Sequence, residues 1–449
     1  MSKKFSKEPI RGFKDLYPAD KREVNWLVEI AKDIADVYCY EEYDGPLLEP
    51  IEIFAAKSSE ELVNEQSFYV EKKKGQKLIL RPEVTPTLAR MVAKKSQELK
   101  KPIRWYSVPT CYRYERPQRG RMREFLQINF DILGETTLYA ELEIFNISID
   151  ILTSFGATKK QFQIYYNNRR FIDAICEFIL NIPSDKIPLV YKILDKSDKM
   201  EETEFEKYII DAFQDEYIIQ GILKIKDSKN LKELLSKFED IPEKFYQSIG
   251  YNELINLNNL IKDAGISEFC SFSPSIVRGL DYYTGTIFEV FDTGEENKRA
   301  IFGGGRYDDL LSLFSDEPLS GIGFGMGTLM LSLFLKTYDL IPEFIGTKDY
   351  SDTIYIASVN ETVAKYSIEL ANIIRDEDFP CIIDYNYKNL KSQLKKASDL
   401  GIPIVVIIGP KEMEQNRVTI KNMASEEQKT IDVKDIIEEI YSILEKIED

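Results

Sequence analysis

The chain has 449 residues, too many for one ordinary domain, and its 43% hydrophobic and 30% charged residues are typical of a globular protein. The formal charge is −17 and histidine is absent, which excludes Ser-His-Asp and Cys-His nucleophiles, HExxH zinc sites and the HRD kinase loop. Five scattered cysteines without a CxxC pair, and no apolar run of 18 residues, predict a reduced cytoplasmic protein that does not contact a membrane.

The first part of the chain, residues 1–167, is predicted to mix helices and strands. Apolar residues at helical spacing, with Pro18 at the start, predict an amphipathic helix over 18–42. The elements that follow are predicted as strand 46–53, helix 84–96, strands 103–114 and 124–133, helix 138–155 and strand 161–166.

The sequence changes character between residues 168 and 268, where helical periods dominate and glycine is scarce. Strand signals and Gly-rich turns resume afterwards, so we predict a helical domain (168–268) inserted into a core that continues over 269–336. A linker over 337–351 then leads to a tail, 352–449, in which strands and helices alternate. This alternation predicts a small α/β domain.

The first segment suited to chemistry is basic. Ten Lys or Arg against two Glu lie between Lys94 and Arg123, a local charge of +8 that leaves −25 on the rest of the chain. Five of these arginines fall within 113–123, between two predicted strands. Guanidinium groups match phosphate oxygens bidentately, so this segment is suited to clamp a polyphosphate. From charge alone, a solvated basic loop is an equal alternative.

A second segment places Arg278, Asp281 and two tyrosines, Tyr282 and Tyr283, within six residues. Tyrosine rings offer a flat apolar wall with a polar tip, which suits a small ring-bearing ligand. The alternative is a strand whose tyrosines fill the core.

Three shorter segments also have a structural and a ligand-binding interpretation. The glycines at 303–305 allow close approach of a ligand or form a tight turn. The glycines within 321–327 fit neither GxGxxG nor a P-loop, and packing of a strand against a helix is the simpler explanation. Glu83 and Thr85 lie at the start of a predicted helix, where they hold a ligand's ammonium group or, more simply, cap the helix.

In the tail, four lysines fall largely on one face of a predicted helix with no acid among them: Lys388, Lys391, Lys395 and Lys396. Such a face contacts nucleic acid or is simply solvated.

Taken in order, these segments resemble those of class II aminoacyl-tRNA synthetases, and closely those of the histidyl-tRNA synthetase family. The segment ending at Pro50 resembles motif 1, which forms the dimer; RYERPQRGRMREFLQ (113–127) resembles motif 2; GFGMGTLML occupies the place of motif 3. VRGLDYYTGTIFE and GGGRYDDL resemble the family's two histidine-binding motifs, and RPEVT resembles its substrate loop. The likeness covers nearly the whole chain.

The resemblance implies an α+β fold, with a class II antiparallel-sheet catalytic core, the helical insertion and a C-terminal α/β anticodon-binding domain. It implies an aminoacyl-tRNA ligase that activates L-histidine with ATP, releases pyrophosphate and transfers histidine to the 3′ end of tRNA(His). The expected ligands are ATP with the Mg²⁺ that it carries, L-histidine and tRNA(His). No metal site of the protein's own is expected, and the motif 1 region is expected to join a homodimer.

The resemblance also assigns roles to individual residues. Arg113 would hold the α-phosphate, and Arg278 would bridge that phosphate to the substrate carboxylate, so these two are the expected catalytic residues. The expected ATP-binding residues are Arg113, Glu115, Arg121 and Phe125. The expected histidine-binding residues are Glu83, Thr85, Gln127, Asp131, Arg278, Tyr282, Tyr283 and Tyr307. The expected tRNA-binding residues are Gln118, Arg123, Lys388, Lys391 and Lys395.

Three positions depart from the family pattern. Met330 replaces the motif 3 arginine that in the family contacts adenine and the γ-phosphate, Leu126 stands where many members have a histidine, and Asp131 replaces a common glutamate. The main rival is therefore a catalytically weak relative, such as a histidine-sensing regulatory subunit of ATP phosphoribosyltransferase. That rival predicts a degraded set of arginines and no anticodon-binding tail. A third interpretation is a synthetase-like module that binds nucleic acid without activating an amino acid.

Overall fold

The computed structural model describes residues 5–55, 66–71, 77–197, 200–277, 282–294, 296–297, 299–315 and 318–448. The chain divides into two compact units, Met1–Gly346 and Thr347–Asp449. The finer domain boundaries given above stay predictions.

Among the residues that the structure describes, the first unit is built on a mostly antiparallel sheet of nine strands. Its strands follow the order β1-β5-β7-β12-β11-β10-β8-β9, with β6 also paired to β7, and the pairs at its two ends are parallel. Strands β2, β4 and β3 form a separate small sheet. The strands are β1 (Glu41–Glu42), β2 (Leu48–Pro50), β3 (Tyr69–Glu71), β4 (Lys77–Leu80), β5 (Ile103–Ser107), β6 (Thr110–Tyr112), β7 (Glu124–Leu133), β8 (Phe162–Asn168), β9 (Cys270–Phe272), β10 (Thr286–Asp292), β11 (Ala300–Arg306) and β12 (Gly321–Gly327).

Helices cover one face of this sheet and form most of the segment between β8 and β9. Helix α1 ends at Val37 rather than at the predicted residue 42, because Cys39 adopts a left-handed φ of 58° and Glu41–Glu42 forms β1. The helices are α1 (Pro18–Val37), α2 (Glu52–Ala55), α3 (Thr85–Lys94), α4 (Tyr139–Ser154), α5 (Arg169–Ala174), α6 (Ile187–Lys196), α7 (Glu202–Ala212), α8 (Glu216–Lys226), α9 (Leu231–Ser236), α10 (Glu243–Tyr246), α11 (Ile249–Asp263) and α12 (Thr328–Thr337).

Several helices of the segment between β8 and β9 begin where the sequence supplies a capping side chain. Asn168, Asp215, Asn230 and Ser248 each accept a hydrogen bond from a backbone N–H of the first turn of α5, α8, α9 and α11 respectively. Such a bond satisfies a donor that the helix itself leaves unpaired. The polar residues that break the apolar pattern there therefore define the helix starts.

Part of the core of the first unit lies between the sheet and helices α1 and α4. Leu27 and Ala31 of α1 are fully buried, as are Ile144 and Phe145 of α4. They share one apolar cluster with alternate residues of β7, namely Ile128, Phe130 and Ile132. Full burial of a large apolar side chain contributes about 1.5–3 kcal/mol, so this cluster holds β7 firmly in place.

The second unit is a five-stranded mixed sheet with helices. Its order is β14-β13-β15-β16-β17, where the first three strands are parallel and the last two pair antiparallel. Strands β13 and β15 are buried along their whole length, as expected for strands covered on both faces. The elements are β13 (Ile354–Ser358), α13 (Ala364–Asp376), β14 (Cys381–Ile383), α14 (Leu390–Asp399), β15 (Ile404–Ile408), α15 (Pro410–Glu414), β16 (Arg417–Asn422), β17 (Gln428–Asp432) and α16 (Ile436–Glu448).

The predicted fold class is confirmed by this arrangement. The first unit has the antiparallel sheet expected of a class II core, and the second has the α/β pattern expected of the tail. None of the helices in the described part of the chain combines the length and apolar character needed to cross a bilayer.

Candidate active site

Strand β7 presents opposite chemistry on its two faces. Side chains alternate along a strand, so the neighbours of its core residues point to the other side of the sheet. There they line a cavity of about 180 Å³. The β7 residues in the cavity wall are Phe125, Gln127, Asn129 and Asp131.

The glycines of β12 make room for these side chains. Gly323 lies opposite Asp131 in the antiparallel register, and a Cβ there would be 2.2 Å from the Asp131 Oδ1 atom. A Cβ on Gly325 would be 2.1 Å from the Gln127 Nε2 atom. The simpler sequence interpretation of these glycines, packing of a strand against a helix, is therefore wrong at these two positions.

The second glycine run, 303–305, lies within β11 and does not form the tight turn considered above. Gly303 lines the cavity. A Cβ on Gly304 would be 2.0 Å from the Gly323 carbonyl oxygen, so this glycine is required where two backbones come close.

One end of the cavity is a buried carboxylate held by a tyrosine. Tyr307 Oη donates a 2.5 Å hydrogen bond to Asp131 Oδ1, and Asp131 is only 2% exposed. Its second oxygen, Oδ2, has no hydrogen-bond partner among the described residues. Burial raises the pKa of Asp131 to about 7, against the opposing effect of the Tyr307 hydrogen bond. Asp131 thus offers a free oxygen to an N–H group of a buried ligand.

A second buried carboxylate lies beside a cluster of tyrosine rings. Tyr282 Oη donates to Glu83 Oε2 at 2.9 Å, and burial raises the pKa of this tyrosine well above its usual value. The Tyr282 ring lies 4.8 Å from that of Tyr283 and 6.1 Å from that of Tyr307, centroid to centroid. All of these residues line the cavity, as does Thr85.

Glu83 and Thr85, at the start of α3, both line the cavity. Helix α3 begins at Thr85, with Val84 as its N-cap residue and no capping hydrogen bond from a side chain. The carboxylate of Glu83 instead accepts from Tyr282 inside the cavity. Both residues belong to the cavity wall, so the ligand-binding interpretation is the one that the cavity supports.

The other end of the cavity is basic and open. Arg113 Nε donates to the Pro82 carbonyl oxygen at 2.9 Å, and its guanidinium lies 5.3 Å from the centroid of the Phe125 ring. Arg121 Nη1 donates to Glu115 Oε2 at 2.8 Å, and the Arg121 side chain is 52% exposed. Two guanidinium groups and an aromatic face are thus presented near solvent, which suits a nucleotide polyphosphate and its base.

The motif 3 position lies at this same end. Met330 lines the cavity, and its Sδ atom would be 2.0 Å from a Cβ placed on Gly120. The thioether therefore fills the space against Gly120, where the family carries an arginine.

The structure brings most of the predicted site residues to this one cavity. Those in its wall are Glu83, Thr85, Arg113, Glu115, Arg121, Phe125, Gln127, Asp131, Tyr282, Tyr283 and Tyr307. Arg278 and Asp281 lie outside the described residues. Among the residues that the structure describes, no group of three His, Cys, Asp or Glu side chains is placed to hold a metal ion.

The residues predicted to contact tRNA lie elsewhere than in the cavity wall. Arg123 stacks on Tyr114, 3.9 Å from the ring centroid, and donates to the Glu115 carbonyl oxygen. Gln118 exchanges backbone hydrogen bonds with Arg121 across a tight turn.

The lysines of the second unit form an exposed group around the start of α14. Lys388, Lys391 and Lys395 are exposed. Lys396 differs from them, because it donates to Asp384 Oδ2 at 3.4 Å. The remaining three leave their positive charges to solvent or to a ligand.

Some residues of the cavity wall were not predicted from the sequence. Asn129 shares the period of two with Gln127 and Asp131, so the strand pattern contained the signal for it. Ile301 and Leu329 had no comparable signal, because their position depends on how β11 and α12 pack.

Comparison with known proteins adds an independent line of evidence. The histidyl-tRNA synthetase family matches residues 12–331, and an anticodon binding domain matches residues 353–443. The chain is 37% identical to a histidine–tRNA ligase of Leptospira biflexa over 99% of both chains, and 33% identical to one of Haloarcula marismortui over 94% of this chain and 95% of that one. The crystal structure of histidyl-tRNA synthetase from Nostoc sp. superposes with a TM-score of 0.72 at 22% identity, covering 98% of this chain and 100% of that chain, which shows likeness of fold.

Proposed function

The chain belongs to the histidyl-tRNA synthetase family, and we propose that it is a histidine–tRNA ligase that activates L-histidine with ATP and transfers it to tRNA(His). The observation that carries this proposal is the cavity. Residues from β7, from the segment before α3, from the segment before β10 and from the residue after β11 meet there, with buried carboxylates at one end and arginines at the other.

In this proposal the amino acid occupies the buried end. The imidazole N–H donates to the free Oδ2 of Asp131, whose other oxygen is held by Tyr307. Glu83, Thr85 and Gln127 accept hydrogen bonds from the ammonium group. A site whose acceptors each pair with an N–H group of the substrate rejects amino acids that lack those N–H groups, because the acceptors of the site would stay unpaired.

ATP occupies the open end, with its adenine against Phe125 and Glu115 and its phosphates at Arg113 and Arg121. In the first step the histidine carboxylate oxygen attacks the α-phosphorus, and the bond to pyrophosphate breaks. This step requires alignment of two substrates and cancellation of negative charge, which guanidinium groups supply without a protein nucleophile. Mg²⁺ enters with ATP, whose phosphate oxygens are its preferred ligands. Arg278 keeps its sequence-based assignment as the bridge between the substrate carboxylate and the α-phosphate.

The second unit serves tRNA binding. Its match to an anticodon binding domain supports this role, and the exposed Lys388, Lys391 and Lys395 offer positive charge to a phosphate backbone. Gln118 and Arg123 would contact the acceptor end. The proposal includes a homodimer formed through the motif 1 region, a cytoplasmic location and the domain boundaries given above.

A catalytically weak regulatory relative is the rival proposal. Met330 at the motif 3 position favours it. Arg113 and Arg121 in the cavity wall, and a tail that matches an anticodon binding domain, favour the ligase. We therefore place the ligase first.

The test is histidine-dependent exchange between ATP and pyrophosphate, followed by charging of tRNA(His). We expect exchange with histidine and none with other amino acids, and then charging. An enzyme that shows no exchange would contradict the proposal and favour the regulatory subunit. Exchange without charging would indicate that the second unit does not support tRNA binding as proposed.

A further inference from the structure

The cavity lacks one positive charge that its family places at motif 3. We propose that Arg299, in the segment just before β11, binds the polyphosphate end of ATP and so takes over the role of the arginine that Met330 replaces. This inference rests on the proposed use of ATP. It concerns a residue that neither the sequence motifs nor the resemblance singled out.

The segment between β10 and β11 is anchored beside the arginine-rich segment. The buried Asn297 donates to Asp292 Oδ2 at 2.7 Å and to Thr337 Oγ1 at 3.0 Å, which ties the segment to the end of α12. Glu296 forms an ion pair with Arg119 at 3.5 Å across the gap between the two segments. Asn297 thus anchors the segment, and the exposed Glu296–Arg119 pair shows that it lies next to motif 2.

Arg299 lies two positions after Asn297 in the sequence and immediately before β11. The chain enters β11 at Ala300, and Ile301 and Gly303 line the cavity. Arg299 is exposed, and its side chain has neither an ion pair nor a hydrogen bond with any residue that the structure describes. Its guanidinium donors are therefore available to a ligand.

The charges around Arg299 are those of the nucleotide end. Burial and the Arg121 guanidinium lower the pKa of Arg299, whereas Glu115 acts in the opposite direction. The charge of Arg299 therefore interacts with the charges of Arg121 and Glu115, and these two residues pair with each other in the cavity wall. Because two guanidinium groups repel each other, a polyanion that pairs with both is favoured there.

The chemistry of the ligand follows from this arrangement. A guanidinium group pairs with two phosphate oxygens at once, and the exposed end of the cavity is where the β- and γ-phosphates of ATP would lie. Arg299 should thus recognise ATP through these phosphates. Replacing Arg299 should leave the affinity for a nucleotide that lacks these phosphates unchanged.

The test measures the affinity of the purified full-length protein for Mg·ATP and for AMP by titration calorimetry, without histidine. We expect Arg299→Met to weaken ATP binding about 10- to 100-fold, the loss of one charge-assisted hydrogen-bonding group, and to leave AMP binding within about twofold. The affinity of Arg299→Lys for ATP should fall between those of the wild type and of Arg299→Met. The control Lys262→Met, which removes one exposed charge from α11, should leave both affinities unchanged. Adding Met330→Arg to Arg299→Met should recover part of the lost ATP affinity.

The outcomes separate this inference from the proposed function. Unchanged ATP affinity in Arg299→Met, or equal weakening of ATP and AMP, would overturn the role of Arg299. No recovery by Met330→Arg would overturn its equivalence to the motif 3 arginine. A wild-type protein that binds ATP but shows no histidine-dependent exchange would contradict the ligase, while the ATP affinities would still decide the role of Arg299. A wild-type protein that binds no ATP would overturn both.

Discussion

The two ends of the cavity are built in different ways. At the buried end, Asp131 lies on a core strand, is fixed by Tyr307 and is almost inaccessible to water. At the open end, Arg121 lies on an irregular segment between strands, is half exposed and pairs with one acid, Glu115. The buried end is a preformed polar pocket, and the open end is a group of solvent-exposed charges.

The difference matches what each end has to do. Selecting one amino acid requires fixed partners in a region of low dielectric, where an unpaired polar group is costly. Holding a flexible polyphosphate requires charge more than shape, and exposed charges are partly screened by salt. We therefore expect substitutions at the buried end to cost more than substitutions at the open end.

The largest effect is expected at Asp131. Asp131→Asn keeps the shape but replaces one carboxylate oxygen by an N–H₂ donor, so kcat/KM for histidine should fall roughly 100-fold or more, with the KM for ATP unchanged. Histidine-dependent pyrophosphate exchange measures both values.

The matched control for this prediction is Asp173→Asn. Asp173 accepts a 2.6 Å hydrogen bond from Tyr191, and burial raises its pKa, but it is not a cavity residue. The Asp173→Asn variant should keep the wild-type kcat/KM for histidine. An equal loss in both variants would mean that Asp131 acts through stability rather than recognition.

A smaller effect is expected at Arg121. Arg121→Ala should raise the KM for ATP about tenfold, because this variant cannot make one exposed, charge-assisted hydrogen bond to phosphate, and the effect should shrink as salt is raised. The KM for histidine should not change.

Lys336→Ala provides the control for Arg121. Lys336 pairs with Glu23 at 2.8 Å and is 54% exposed, close to the 52% of Arg121 in its own pair with Glu115. Removing it should leave both KM values as they are. If Arg121→Ala instead raised the KM for histidine, the two ends of the cavity would not be separable.

A still smaller effect is expected in the second unit. Replacing Lys388, Lys391 and Lys395 by Gln should weaken tRNA binding several-fold, and the slope of the salt dependence should fall by roughly 0.7–0.9 for each phosphate that these lysines no longer neutralise. A filter-binding titration at several salt concentrations measures this, and pyrophosphate exchange should be unaffected. The control is the same change at three other exposed lysines of this unit, namely Lys365, Lys411 and Lys434. An equal effect in both triple variants would show that only net charge matters.

The smallest effect is on stability, and it follows from the raised pKa of Asp131. The folded protein keeps a proton on this carboxyl up to about pH 7, whereas the unfolded chain releases it near the usual value of 3.8. The free energy of unfolding should therefore fall as pH rises between these two values and become flat above pH 7, with a loss of roughly 1 kcal/mol between pH 6 and pH 7.

Denaturant titrations of the ligand-free protein at several pH values measure this loss. Asp131→Asn has no proton to release at this position, so its unfolding free energy should change less over the same range. Identical pH profiles for the two proteins would show that Asp131 ionises normally.

Much of the fold was accessible from the sequence, because local patterns reflect local physics. The capping residues and apolar spacing of the helices, and the period of two in β7, are properties of neighbouring residues. Apolar spacing and strand-like runs predicted most of the elements, but two bounds were wrong. Helix α1 ends early, where the left-handed Cys39 leads into β1, and the predicted strand 46–53 ends before α2, which begins at Glu52. The basic segment and the family motifs likewise indicated an ATP-dependent ligase for histidine.

What the tertiary structure alone decided was which side chains face one another. Glu83 resembles a helix cap until Tyr282, almost 200 positions later, donates to it. The glycines of β12 resemble packing residues until the register sets Gly323 opposite Asp131. Arg299 has no motif at all, and it gains a role only because the segment before β11 lies against motif 2. These contacts depend on long-range pairing of strands, which no local pattern records. The composition alone, which lacks histidine, had already limited the chemistry to carboxylates, Arg, Lys, Tyr, backbone dipoles and bound ions.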